Sequence, residues 1–364
     1  MKAAMTFIAI FALMLLIVPM IALNFRVATP AKEKIPVHTP GAAAQVDAVL
    51  PASSSESSSK ELPEQSQPEK EEPKKSTAAS AETFRILNQT TGAVEEVSLR
   101  DYVRGAVAAE MPALFHTEAL KAQAVAAHTF ALNQRLTQQK NPDPALMGAD
   151  FAADPINRKI YITEAQAKEF YGDGFDVYWK KVCEAADSVV SYVLEYDGEP
   201  IVAAYHAMSA GLTESAENVW VNGAPYLVQV ESEGDYYAPD YHTEKKLSKA
   251  KTAEVLSAGF AGFDPKADPQ EWFSDIERSD SGYVTAVTIG GEQYHGKDLR
   301  TAFDLRSHNI DITYADGTFT FDVYGYGHGV GLSQYGADFL ARQGYTFDKI
   351  LEHYYADTVL MRIE

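Results

Sequence analysis

Between residues 51 and 80, 23 of 30 positions are Ser, Pro, Glu or Lys, and no aromatic or β-branched aliphatic residue occurs. Such a stretch has too little apolar surface to offset the conformational entropy lost on ordering. It therefore divides the chain, and a hydrophobic core must be built from the residues C-terminal to it. The whole segment 28–82 reads as a disordered Ser/Pro/Glu/Lys linker, with six basic residues against nine acidic ones. Residues 83–364 are left as the globular part.

Ahead of the linker, residues 3–25 are 23 consecutive uncharged positions, mostly Ala, Ile, Leu, Met and Phe. At helical rise this spans a bilayer core of roughly 30 Å. No convincing small-x-small cleavage site follows, so the run is expected to be a retained signal anchor, with the globular part extracytoplasmic. The formal net charge is −20 and no basic patch is visible, which argues against nucleic-acid binding. With Cys183 alone, the chain can form neither an internal disulfide nor a thiolate metal cage.

The globular part is expected to be α+β, a mixture of helices and antiparallel hairpins without βαβ alternation. Two short strands, 83–87 and 93–97, flank a turn at Thr91-Gly92. Ser98 and Asp101 make a capping-box-like start for a helix that Pro112 stops, which puts Glu110 at the helix end. An alanine-rich second helix is predicted from 118 to about 135, then a looser segment from 138 to 176 and a helix over 179–186. Hairpins are predicted at 189–206, at 283–289, and at 310–323 with its turn at Asp316-Gly317. Helices 333–343 and 347–355 close the chain.

Three features point to chemistry. Glu110 lies where the negative end of a helix dipole disfavours the carboxylate, which biases it toward keeping a proton. Tyr205-His206-Ala207-Met208-Ser209 puts polar groups where a strand runs into a Gly-containing turn. Gly325, Gly327, Gly329 and Gly331 alternate around His328, so something must approach that backbone closely: a ligand, or another core segment. The pattern does not fit a dinucleotide-binding loop.

Taken together, Leu99-Arg100-Asp101-Tyr102-Val103 through Glu110-Met111-Pro112, the helix 118–127, Tyr205-His206 with Ser209 and Thr213-Glu214, Val219-Trp220 and Gly327-His328-Gly329-Val330-Gly331-Leu332-Ser333-Gln334-Tyr335-Gly336-Ala337 resemble the stage II sporulation protein D family. The resemblance covers essentially everything after residue 83. It implies a lytic transglycosylase that cleaves the bond between N-acetylmuramic acid and N-acetylglucosamine in peptide-denuded peptidoglycan and forms a 1,6-anhydro sugar. Glu110 would serve as general acid and then base. Candidate substrate-binding residues are Lys121, Gln123, His128, Tyr205, His206, Ser209, Tyr326, His328 and Gln334. Lys121 is the candidate for pairing with the exposed lactyl carboxylate, while Tyr205, Trp220, Tyr226, Tyr324 and Tyr326 could offer stacking faces. Implied partners are the denuded glycan strands, a cell-wall amidase and a membrane-embedded protein of the engulfment complex, at the mother-cell membrane facing the septum. No cofactor is implied.

The chain also departs from the family. Where relatives commonly carry an arginine in the second helix, this chain has His128, expected to take over part of that arginine's role beside Glu110. Relatives' Ser-Gly-Gly is here Ser209-Ala210-Gly211. Some relatives hold zinc through Cys and His after the second helix, but residues 136–182 contain neither, so no metal is predicted. Two other functions remain open. One is a hydrolytic muramidase with Glu214, Glu217 or Asp235 as second carboxylate; the other is a non-catalytic glycan-binding module that activates an amidase.

Overall fold

Alternating inward Phe84 and Ile86 with outward Thr83 and Arg85 makes Thr83–Asn88 (β1) a strand buried on one face, and it pairs antiparallel with Val94–Ser98 (β2). The computed structural model describes residues 82–220 and 223–363. The expected anchor lies outside them, as does the linker up to residue 81. Among the described residues no helix is long and apolar enough to cross a membrane.

The Ser98 side chain accepts from the Asp101 amide and starts Leu99–Glu110 (α1). Met111, next to Pro112, is extended at φ −115° and ψ 140°, so the helix ends on Glu110. Thr117–Lys140 (α2) runs about five residues past the expected end, and its buried alanines 119, 122, 124, 126, 127 and 131 let neighbouring helices come close.

The segment expected to be loose is structured. Phe151–Ala153 (β3) pairs parallel with β1, and Glu164–Tyr171 (α3) begins with a reciprocal capping box between Thr163 and Gln166. Phe175–Val189 (α4) starts four residues before the predicted helix.

The predicted hairpin at 189–206 is shorter. Tyr192–Tyr196 (β4) and Glu199–Pro200 (β5) pair around Asp197-Gly198, whereas Tyr205–His206 (β6) leaves that sheet for a strand near the C-terminus. A short helix, Ala216–Val219 (α5), comes next.

Residues 242–324 build a second core. His242–Ser248 (β7) leads into Lys249–Gly259 (α6), and Ser274–Arg278 (β8), Val284–Ile289 (β9) and Glu292–Tyr294 (β10) form an antiparallel sheet. After Gly296–Ala302 (α7), Asn309–Ala315 (β11) and Thr318–Tyr324 (β12) form the predicted hairpin, with β7 on the outer edge of β12. Leu256, Trp272, Val287, Leu299, Phe319 and Phe321 fill this core. The first core holds Tyr102, Leu120, Val125, Phe151, Ile350 and Tyr354.

The chain then returns to the first core through Leu332–Ser333 (β13), parallel to β6, followed by Gln334–Arg342 (α8), Phe347–Tyr354 (α9) and Val359–Arg362 (β14), which pairs with β4. The alternating glycines lie at this crossing. Gly331 has φ +73°, and a Cβ there would sit 2.1 Å from the Ala204 carbonyl oxygen. A Cβ on Gly327 would sit 2.7 Å from the His206 Cβ. What approaches the backbone at Gly325, Gly327 and Gly331 is therefore the 204–209 segment of the chain itself, and at Gly329 it is the Tyr283 ring.

Candidate active site

Glu110 is 1% exposed and neither carboxylate oxygen has a partner in hydrogen-bonding geometry. Burial pushes its pKa up to about 8; hydrogen bonding from the Gln334 side chain and the Ile160 backbone opposes that shift. The helix-end position expected from the sequence is observed, and loss of water on burial is the largest cause of the raised pKa.

Gln334 and Gln123 are fully buried and linked to each other, Gln334 Nε2 donating to Gln123 Oε1 at 3.4 Å. The remaining polar atoms, Gln334 Oε1 and Gln123 Nε2, have no partner. Two glutamines and one protonatable carboxylate are thus held together with unfilled hydrogen-bonding capacity, which in a buried setting is costly unless something else fills it. Tyr205 borders the same carboxylate: burial first, then the Glu110 charge, push its pKa well above the usual tyrosine range. Gln123 comes from α2, Gln334 opens α8 and Tyr205 comes from β6, so the group assembles where β6 and β13 pair.

His206 succeeds Tyr205 in the strand and turns the other way. Its Nδ1 lies 3.1 Å from the Val330 carbonyl oxygen and its Nε2 has no partner. Its ring lies 5.8 Å from His328, whose Nδ1 accepts from the Val330 amide, and Trp220 packs on His328 at 5.5 Å. Burial keeps both imidazoles neutral, lowering His206 to about 4 and His328 well below the usual range.

The other sequence-predicted residues are placed elsewhere. His128 is 1% exposed, with burial lowering its pKa to about 4, and the nearest polar groups are the main chain at Tyr192 and Val190. It stands five residues, about 140° of helix rotation, from Gln123, so the structure turns it away from the role beside Glu110 expected for it. Lys121 pairs with Glu118 at 2.7 Å. Tyr326 is half-buried beneath the Arg306 guanidinium, 4.4 Å from its ring centre. Tyr226 is core, its hydroxyl accepting from the Val202 amide.

Ser209 leads to Asp235, which the sequence offers only as a possible second carboxylate. Asp235 is fully buried; its Oδ2 accepts from the Ser209 amide (2.7 Å) and hydroxyl (2.6 Å), and its Oδ1 from the Ser333 hydroxyl (2.6 Å). It clamps the ends of β6 and β13, and Ser333 immediately precedes Gln334. Glu214 is also committed, accepting from the Ser215 amide, Asn218, Gln229 and Ser279. No sequence motif marks Asp235, because its partners lie 26 and 98 residues away. Among the described residues no group of three or more His, Cys, Asp or Glu side chains could hold a metal ion.

The family described as "Stage II sporulation protein" matches residues 87–196. The chain is 35% identical to stage II sporulation protein D of Bacillus subtilis over 285 residues, 78% of this chain and 79% of that one. It is 34% identical to its namesake in Bacillus amyloliquefaciens over 282 residues, 77% and 78% of the two chains. A more distant similarity, 24% over 317 residues, 71% of this chain and 40% of the other, is to the amidase enhancer of Bacillus subtilis. With more than three quarters of its length aligned at this level of identity, the chain belongs to the stage II sporulation protein D family.

Proposed function

We propose that this protein is a lytic transglycosylase of peptide-denuded peptidoglycan, acting in sporulation, with Glu110 as its acid and base. The observation that carries this reading is a carboxyl group buried away from water, with its pKa raised to about 8, beside two buried glutamines with unused polar atoms. Such a group is protonated at neutral pH, as a general acid must be. It delivers its proton to the oxygen bridging muramyl C1 to the next sugar, and the C1–O bond breaks. The muramyl C6 hydroxyl then attacks C1 and gives its proton to the Glu110 carboxylate, which closes the anhydro ring and restores the acid. A single carboxylate suffices because the nucleophile belongs to the substrate, whereas hydrolysis ordinarily uses two. Of the candidate second carboxylates, Glu214 and Asp235 are committed to internal donors, which counts against hydrolysis through either of those two. Since Glu110 is buried, its surroundings must part to admit a sugar ring.

In this reading residues 3–25 anchor the protein, with the folded part extracytoplasmic at the septum. It works there beside a cell-wall amidase and a membrane-embedded partner.

The test uses the full-length protein with denuded glycan. Wild type is expected to yield anhydromuramyl ends by mass spectrometry, and Glu110→Gln to lower turnover by at least ~10²-fold while still binding glycan. Reducing ends would mean hydrolysis instead. A wild-type protein that binds without cleaving would favour the amidase-activating role suggested by the similarity to the amidase enhancer.

A further inference from the structure

A separate indentation opens between Glu217–Trp220 of the first core and residues 284–308 of the second. Its cavity volume is about 120 Å³, and Glu110 does not line it. That is below the roughly 300 Å³ at which drug-sized pockets begin, so it suits one ring or substituent rather than an extended ligand.

Four of the side chains lining it bear on what it could hold. Trp220, 9% exposed, lines the cleft and packs on the His328 ring at 5.5 Å. Lys297 is exposed and, among the described residues, paired with no acid; Glu217, across the cleft, is likewise unpaired. His308 is 4% exposed, packs on Tyr283 at 4.8 Å, and has no partner for its Nδ1. A buried imidazole nitrogen without a partner is costly to leave empty.

The ligand chemistry is set by this combination. A simple anion would suit Lys297 but would face Glu217 and leave the indole unused. An aliphatic group would cover the indole and leave His308 unpaired. A pyranose ring has an apolar face for the indole and a rim of hydroxyls that can both donate to Glu217 and accept from Lys297.

We propose that this cleft is a second saccharide site holding one pyranose ring, its apolar face on Trp220 and its hydroxyls bonded to Lys297, Glu217 and His308. The ligand's identity as part of the glycan substrate rests on the function proposed above. Packed side chains, Trp220 on His328 and His328 on His206, connect the cleft to β6, whose Tyr205 borders Glu110. Glu110 acts at the bond between two sugars and the cleft holds a further ring, so a strand occupying both places has at least three sugars.

The experiment measures binding by calorimetry to the full-length protein carrying Glu110→Gln, so that nothing is consumed. The probes are a disaccharide and a hexasaccharide of alternating N-acetylglucosamine and N-acetylmuramic acid without peptides. Lys297→Ala removes the cation from an exposed position, and Thr285→Trp, on the half-buried wall, fills the cleft; thermal unfolding of each verifies that the fold is intact. The hexasaccharide is expected to bind several-fold more weakly to Lys297→Ala and tenfold or more weakly to Thr285→Trp. Unchanged affinity in both variants overturns the proposal, as does a wild-type cleft that leaves the hexasaccharide bound no tighter than the disaccharide. If the protein with Glu110 intact cleaves no glycan yet both cleft variants still lose hexasaccharide affinity, the saccharide site stands and the transglycosylase reading falls.

Discussion

Glu110 is held in the folded chain in a place where its charged form is disfavoured, and this has a thermodynamic consequence. Its folded pKa, about 8, lies above the ordinary glutamate value of 4.5, so between these pH values the folded state binds more protons than the unfolded one. Stability therefore falls as pH rises through that window, by about 1.4 kcal/mol for each full unit over which the mismatch holds. Glu110→Gln, which cannot ionise, is expected to melt higher than wild type at pH 8 and to match it near pH 4. Parallel melting curves at both pH values would contradict the burial of the carboxylate. Asp235 plays a different part, because its oxygens are spent on serines. Asp235→Ala leaves the Ser209 and Ser333 donors unpaired and is expected to cost about 2–4 kcal/mol by denaturant unfolding. Asp235→Asn, which keeps acceptor capacity on one side, is expected to cost less. Of these two residues, the sequence marks Glu110 through its helix-ending proline and leaves the role of Asp235 hidden, since hydrogen bonds between distant serines leave no local pattern.

At the scale of elements, α1 reaches the site by lying unusually close to the loop before α3. Gly105 sits inside the helix, and a Cβ there would lie 2.1 Å from the Ile162 carbonyl oxygen, while the Ile162 amide donates to the Gly105 carbonyl at 3.2 Å. Glycine in a helix interior normally costs about 0.5–1 kcal/mol relative to alanine, so Gly→Ala should ordinarily stabilise. Here the sign is expected to reverse. Gly105→Ala should lower the melting temperature and push the 160–162 loop, with the Ile160 backbone that borders Glu110, away from the carboxyl; a rise in melting temperature would show that the loop moves aside without cost. Local rules make much of the secondary structure readable. The Ser98 cap, Pro112, the Asp316-Gly317 turn and both C-terminal helices appear within a residue or two of expectation. The helix at 164–171 escapes a periodicity reading despite its Thr163–Gln166 box, because its eight residues carry too short an apolar stripe to register as periodic. The placement of His128 is legible in principle: helical geometry already separates it from Gln123 by about 140°.

For the molecule as a whole, charge and topology act on different terms. The net charge is −20, and a denuded glycan bearing lactyl carboxylates is also anionic, so long-range attraction opposes encounter instead of driving it. Salt is therefore expected to leave hexasaccharide affinity unchanged or to strengthen it as ionic strength rises toward about 0.15 M, where the Debye length is about 8 Å. A marked loss of affinity with salt would mean that cations such as Lys297 dominate binding. Topology decides where chemistry can occur. Paired residues of β6 and β13 are 127 positions apart in sequence yet meet directly, because the second core is built from the chain between them and the glycine-rich return strand can press against residues 204–209. By itself the sequence determined that the globular part would be α+β and that Glu110 would end a helix, since patterning, capping and proline act within a few residues. The tertiary structure alone decided that Gln123, Gln334 and Tyr205 meet at that carboxyl, that His128 does not, and that water is excluded there, because burial arises from segments far apart in the chain packing against one another.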